Sequence, residues 1–336
     1  MHLGANVRIS KIGLCVTVGF FILLYLYSTR GPSYSSIDNR YVISLKALLA
    51  GSIRAAKMGG SEVVLVHNQN RLNIESKGKT KEGVNDPVTA ADYRSHCAMY
   101  HSLIEAFPKI TVISEEMSKG CDQIEVPSLK DTIKELDQYG IGSDIAANAN
   151  DVTVWIDPLD ATKEFTENLL QYVTTMVCVA IKGEPVIGVI FKPFEPKTTY
   201  WAWVDHGVSP NLRNLPQPKE GRNPVLIVSR SHAGRVHNAS KLALGDNVQV
   251  ISAAGSGYKS LEVAVGNATA YVHMTAIKKW DVCAGAAIIS ALGGSVTPLS
   301  GPPPMGFGPT DSTLLNSGLL ATMQDHKWYL DKFYNV

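Results

Sequence analysis

The sequence predicts an α/β protein built in two sheet-bearing parts, and its first part is α+β. Two observations lead there. Between residues 152 and 204, apolar runs of strand length follow one another across short turns, whereas from 225 onward such runs alternate with helical ones. A third observation concerns what precedes them: residues 12–27 (IGLCVTVGFFILLYLY) carry no charge.

That run has three readings. A cleaved signal peptide needs small residues at its exit, and this one leaves through Tyr25, Leu26 and Tyr27. A buried core helix needs a polar face, which is absent. A membrane span fits best. At about 1.5 Å per residue it reaches roughly 24 Å, short of a ~30 Å hydrocarbon core, and Ser10, Ser28 and Thr29 extend it. Arg8 and Lys11 before the run favour a cytosolic N-terminus. The chain then divides into a cytosolic 1–11, a transmembrane signal-anchor 12–28 and a linker 29–40. After these come an α+β part 41–204, a connecting loop 205–224 rich in Pro, Asn and Gly, and an α/β part 225–336.

Within 41–204, helical spacing places a helix over 41–58 (Val42, Leu45, Leu48, Leu49, Ile53, Ala56) and another over 90–107. The polar stretch 67–86, with Lys77, Lys79 and Lys81, reads as a mobile loop, and 117–150 as an insert. Strands are expected at 111–114, at 152–156 ending on Asp157-Pro158, and at 199–204, with a hairpin of 173–181 and 186–191. In the second part, strands are expected at 225–229, 248–251 and 270–273. Helices are expected near 235–244, near 260–265 and at 281–292.

Composition narrows the function. Lys and Arg number 31 against 30 Asp and Glu, so no basic surplus points to a nucleic-acid polymer. Phosphate chemistry has to come from a local site. The five cysteines form no C-x-x-C pair. Cys15 lies in the apolar run. Cys97, Cys121, Cys178 and Cys283 show no spacing framework, so buried free thiols are expected over pairing. Two N-x-[ST] triplets begin at Asn238 and Asn267 and are compatible with a lumenal body. Asn238, in a polar helical neighbourhood, is the more accessible of the two by this reading.

The densest chemical signal is Trp155-Ile156-Asp157-Pro158-Leu159-Asp160-Ala161-Thr162. An apolar strand delivers two carboxylates three apart around a proline that fixes φ. Both carboxylates can converge with the Leu159 carbonyl, and hard oxygen donors of this kind suit Mg²⁺. An Asp turn followed by a helix cap is the plainer alternative. Yet Glu115 and Glu116 also follow a short strand, and Asp92 and Asp281 each open a helix. Four carboxylate clusters at element ends are hard to explain as caps.

In this order, VTAAD, SEE, WIDPLDAT and KKWDVCAGAAI resemble the motifs of the inositol monophosphatase superfamily of Mg²⁺-dependent, lithium-sensitive phosphatases. The resemblance covers residues 41–336. It implies a layered αβαβα sugar-phosphatase fold and two or three Mg²⁺ ions. Glu115, Asp157, the Leu159 carbonyl, Asp160 and Asp281 would be metal ligands, with Asp92 and Thr162 handling the attacking water. Ala161 departs from the glycine most of the superfamily carries; the nucleotide-cleaving, membrane-anchored branch carries alanine there too. Inositol phosphatases place an acid a few residues before Trp-Asp. Here His273 stands near that place, followed by Lys278 and Lys279, which suits a second phosphate better than an inositol ring. By resemblance, Ser229, His232, Gly255 and Lys259 contact a nucleotide. The expected activity is hydrolysis of the 3′-phosphate of adenosine 3′,5′-bisphosphate in the Golgi lumen, from a single-pass type II protein. Inositol monophosphate is the rival substrate. An inactive, membrane-anchored nucleotide-binding protein is the rival of another class.

Overall fold

In the computed structural model the described residues are 41–336 without 80–82, 84, 119, 125–127, 130–133, 142, 217–222, 232, 302–304 and 335. Tyr41–Val336 form one compact unit. The apolar run 12–28 expected as an anchor lies outside the described residues. Among those, no helix is long and apolar enough to cross a membrane.

The strands are β1 (Val42–Ser44), β2 (Glu75–Lys79), β3 (Asn85–Val88), β4 (Thr111–Ser114), β5 (Ala146–Asn148), β6 (Val152–Asp160), β7 (Thr174–Ile181), β8 (Glu184–Lys192), β9 (Thr198–Trp203) and β10 (Gly207–Val208). They continue as β11 (Val225–Ser229), β12 (Gln249–Ala253), β13 (Ala270–His273), β14 (Ile277–Lys278), β15 (Ser295–Pro298), β16 (Leu314–Leu315) and β17 (Leu319–Thr322). The helices are α1 (Leu45–Gln69), α2 (Ala90–Ala106), α3 (Lys134–Asp137), α4 (Thr162–Thr166), α5 (Val236–Leu244), α6 (Ser256–Ala264), α7 (Lys279–Ala291) and α8 (His326–Phe333).

Two sheets dominate. A six-stranded sheet runs β10-β9-β8-β7-β6-β4, and a five-stranded sheet runs β12-β11-β13-β17-β15. The period-2 alternation of their strands sets the layers. On β6, Val154 and Ile156 face a core shared with Leu48, Leu49 and Met99 of α1 and α2. Trp155 faces the opposite core with Leu261, Val282 and Ile288 of α6 and α7, and Tyr271 and Ala321 of the second sheet join it there. Leu226, Val228 and Val272 point away, toward Ala239 of α5 and Phe333 of α8. The order is therefore helices, sheet, helices, sheet, helices. All nine residues of β6 are buried, as expected of a strand covered on both faces.

Several expectations need correction. Residues 67–86 hold the end of α1 and the β2–β3 hairpin rather than a loop. Every position of β2 is exposed, so no alternation marked it. Helix α6 starts at Ser256, four residues early, because Asp160 holds its first turn. Strands β15 and β17 and helix α8 lie beyond the last element read from the sequence. The thiols are not free: Cys97 bonds Cys121 and Cys178 bonds Cys283. The second bridge spans 105 residues and joins β7 to α7, a proximity that only the folded layers create. Asn238 within α5 and Asn267 before β13 are both exposed.

Candidate active site

The site forms where β4 and β6, which are parallel, end side by side. Glu115 leaves β4 with its N–H donating to the Ile156 carbonyl at 3.1 Å, so its position beside Asp157 is dictated by backbone pairing. Between Asp157 and Asp160 the register with β7 shifts, and this bulge turns both carboxylates to the strand end. Asp281 arrives from the other side as the third residue of α7, its Oδ2 accepting the Lys278 N–H at 3.3 Å.

The two aspartates of the Asp-Pro-Leu-Asp turn have opposite surroundings. Asp160 is held by α6: Oδ1 accepts from Ser256 N–H at 3.1 Å, and Oδ2 accepts from Gly257 N–H at 2.8 Å and the Thr174 hydroxyl at 3.2 Å. Glycine is required beside it. Gly255 has φ +67°, and a Cβ there would stand 2.7 Å from the Tyr172 carbonyl and 3.1 Å from Asp160 Oδ2. Asp157 is 1% exposed, and neither of its oxygens has a hydrogen-bond partner among the described residues. A buried carboxylate without partners costs several kcal/mol unless a cation meets it.

Charge reinforces that demand. Burial pushes the Asp157 carboxyl well above the usual range, and Glu115, Asp160 and Asp281 push it further. Burial, then Glu115 and Asp160, does the same to Asp281. Asp160 is raised by burial against the opposing Lys259 and helix N–H groups. Burial brings Glu115 to about 7, with Lys77 opposing and Glu116 adding. Lys77, reaching in from β2, bonds Glu115 at 2.8 Å and also bonds Glu116. Among the described residues no three acidic, histidine or cysteine side chains are drawn together as a ready cation cage. Glu115, Asp157, Asp160 and Asp281 line one cavity. The donor set fits Mg²⁺: carboxylates, a backbone carbonyl and an orphaned buried aspartate.

Behind this wall, Asp92 is the third residue of α2, completely inside. Its Oδ2 accepts from the Thr89 N–H and hydroxyl, each at 2.7 Å, and its Oδ1 lies 2.9 Å from Thr162 Oγ1. Burial lifts Asp92 to about 6, with the Thr89 bonds resisting. Thr162 Oγ1 also lies 3.0 Å from the Leu159 carbonyl. Its single proton goes to the better acceptor, the ionised carboxylate, which leaves its lone pairs for a donor in the cavity.

The cavity measures 410 Å³. It gathers Glu115, Asp157, Leu159, Asp160, Thr162, Ser229, Gly255, Lys259 and Asp281, all singled out from the sequence. Asp92 reaches it through Thr162. His232 lies outside the described residues. Lys259 is buried, donates to the Gly255 carbonyl at 2.6 Å and lies 5.0 Å from the Tyr271 ring centroid. Burial lowers its pKa to about 8, against Asp160, Glu164 and Asp281. His273 lines the wall with Lys278 and Trp280, and Thr275 Oγ1 lies 2.8 Å from its Nε2. Sequence reasoning missed Lys77, Ser231, Tyr271 and Glu164. Glu164, Ser231 and Tyr271 each lie two residues from a candidate, Thr162, Ser229 and His273 respectively.

This fold and acid-lined cavity define a phosphate-ester hydrolase. The inositol monophosphatase family model matches residues 44–335, and the chain belongs to that family. It is 44% identical over 340 residues to the putative inositol monophosphatase 3 of Drosophila melanogaster, covering 98% of this chain and 94% of the relative. It is 40% identical over 343 residues to the Golgi-resident adenosine 3′,5′-bisphosphate 3′-phosphatase of Rattus norvegicus, covering 95% and 94%. Among solved structures, the inositol monophosphatase from Anabaena (Nostoc) sp. PCC 7120 shares the fold. Its TM-score is 0.60 at 19% identity, over 87% of this chain and 97% of that one.

Proposed function

We propose that this phosphatase removes the 3′-phosphate of adenosine 3′,5′-bisphosphate, using Mg²⁺ held by Glu115, Asp157, the Leu159 carbonyl, Asp160 and Asp281. The observation that carries the substrate choice is the wall from Tyr271 to Lys279: it has no acid, and His273 and Lys278 face the cavity. A sugar ring bound through its hydroxyls calls for acceptors there; a second phosphate calls for donors and positive charge. The 40% identity to a relative named for this reaction agrees. The rival, inositol monophosphate, draws on the name of the Drosophila relative.

Bound Mg²⁺ would supply acidity to water and neutralise phosphoryl oxygens. The chain supplies the proton path. Thr162 accepts a proton from the attacking water as its own hydroxyl proton moves toward Asp92. The water oxygen bonds phosphorus while the bond to the 3′ oxygen breaks; the 3′ oxygen takes up a proton from solvent and Asp92 returns the one it received, giving AMP and phosphate. Asp160, fixed by α6, keeps the ligand wall still, and Ser229, Gly255 and Lys259 line the nucleotide side.

We place the body in the Golgi lumen behind an anchor at 12–28. Two disulfides within the body support an oxidising compartment. Parallel assays of the full chain on both phosphate esters with and without Mg²⁺ test the reading. Faster release from the bisphosphate, lost without Mg²⁺, is expected. Faster turnover of inositol monophosphate would overturn the substrate choice, and metal-independent release would overturn the mechanism.

A further inference from the structure

Glu164 is 3% exposed and stands two residues after Thr162 in α4, which follows β6 of the six-stranded sheet. Its Oε1 accepts from the Ser231 hydroxyl at 2.7 Å. Arg230 lies against it at 3.6 Å and bonds Glu167 at 2.8 Å. Arg230 and Ser231 follow β11, in the other sheet. The Arg230 N–H donates to the Ala253 carbonyl at 2.9 Å, so this turn is fixed to the ends of two parallel strands, where open α/β sheets offer their loops to ligands. Glu164, Ser229 and Ser231 all line the cavity. A buried carboxylate is therefore the strap between the helix that carries Thr162 and the loop on the opposite wall. Its charge is answered by Arg230 and its lone pairs by Ser231, in contrast to the unanswered Asp157.

We infer that Glu164 is a positioning residue for substrate recognition: it sets the Ser229–Ser231 loop at the spacing that grips the part of the substrate beyond the scissile phosphate. This rests on the nucleotide reading above. The strap touches neither Asp157 nor Asp281, so its loss acts on grip more than on phosphate chemistry.

The test compares wild type with Glu164→Ala and Glu164→Gln. The glutamine keeps an acceptor for Ser231 and loses the charge that faces Arg230. Steady-state kinetics on adenosine 3′,5′-bisphosphate are read beside direct binding of inorganic phosphate in the presence of Mg²⁺, with melting curves to verify folding. The expected result for Glu164→Ala is a KM increased about tenfold, the loss of one charge-assisted bond. Its kcat and phosphate affinity change by much smaller factors, and Glu164→Gln falls between. Ser231→Ala in the Glu164→Ala background adds little further loss, because the two act as one unit. Equal loss of kcat and phosphate affinity would overturn the proposal, as would an unchanged KM in a folded variant. If Glu164→Ala does not fold, Glu164→Gln and Ser231→Ala carry the same comparison. A wild type inert on the bisphosphate overturns the substrate reading alone; the same KM ratio is then read with inositol monophosphate.

Discussion

The ends of β6 and β11 face each other across one cavity and handle buried charge in opposite ways. At the end of β6, Asp157 has no hydrogen-bond partner among the described residues and faces the charges of Glu115, Asp160 and Asp281. At the end of β11, Glu164 reaches from α4 to the Ser231 hydroxyl that donates to it and to the Arg230 guanidinium 3.6 Å away. A self-compensated buried charge is scaffolding, whereas an uncompensated one specifies what must come from outside. The contrast assigns chemistry to the first wall and grip to the second.

The largest effect should follow from Asp157→Asn, which keeps the shape and removes the charge. Phosphate release should fall about a thousandfold or more, while the metal-free protein becomes more stable because repulsion among buried carboxylates is relieved. Assays with Mg²⁺ beside chemical denaturation without it measure both. A variant that is equally inactive and less stable would mean that Asp157 is a structural acid, and the contrast would break.

Asp92→Asn should cost about 10²–10⁴ in rate. With wild type, activity should fall as pH drops through about 6, where Asp92 takes up its proton. Stability runs the other way. A carboxyl whose folded pKa is raised from 3.8 to about 6 binds more protons folded than unfolded between those values. Its contribution is fully present below pH 3.8 and is lost as pH rises through about 6. Glu115 extends that window to about 7. Denaturation of the metal-free protein from pH 4 to 8 should therefore show stability falling over the range in which activity appears, and Mg²⁺ should flatten the decline.

Smaller effects concern the backbone around Asp160. Gly255→Ala should destabilise by about 1–3 kcal/mol, since its φ is +67° and its Cβ would press on Tyr172 and Asp160. Ala161 also sits at positive φ, +69°, so Ala161→Gly should relieve about 1 kcal/mol of strain. Denaturant midpoints measure both. A destabilised Ala161→Gly would mean that the methyl group packs usefully enough to outweigh the strain.

The carboxylate wall was legible because its chemistry is local: WIDPLDAT puts strand, turn and helix start in one line. The layers followed from the apolar runs of β6, β7, β11 and β13 and, in the second part, from the helical runs between them. What escaped depends on distant pairing. Nothing near Cys178 announces Cys283, and nothing near Ser231 announces Glu164. Strand β17 (LLAT) is a short apolar run without alternation, ambiguous until β13 and β15 flank it. Asp160 is instructive in both directions. The spacing proposes it as a ligand, but its hold on α6 appears only once that helix is packed against β6.

The most direct test of the central claim is calorimetric titration of Mg²⁺ into metal-free wild type and Asp157→Asn near pH 7, in two buffers of different ionisation enthalpy. The account predicts saturable binding to wild type with protons released, because carboxyls held above their usual range must ionise to receive the cation. Binding by Asp157→Asn should be abolished or greatly weakened. Saturable binding of equal strength to both proteins, or none to either, would contradict it.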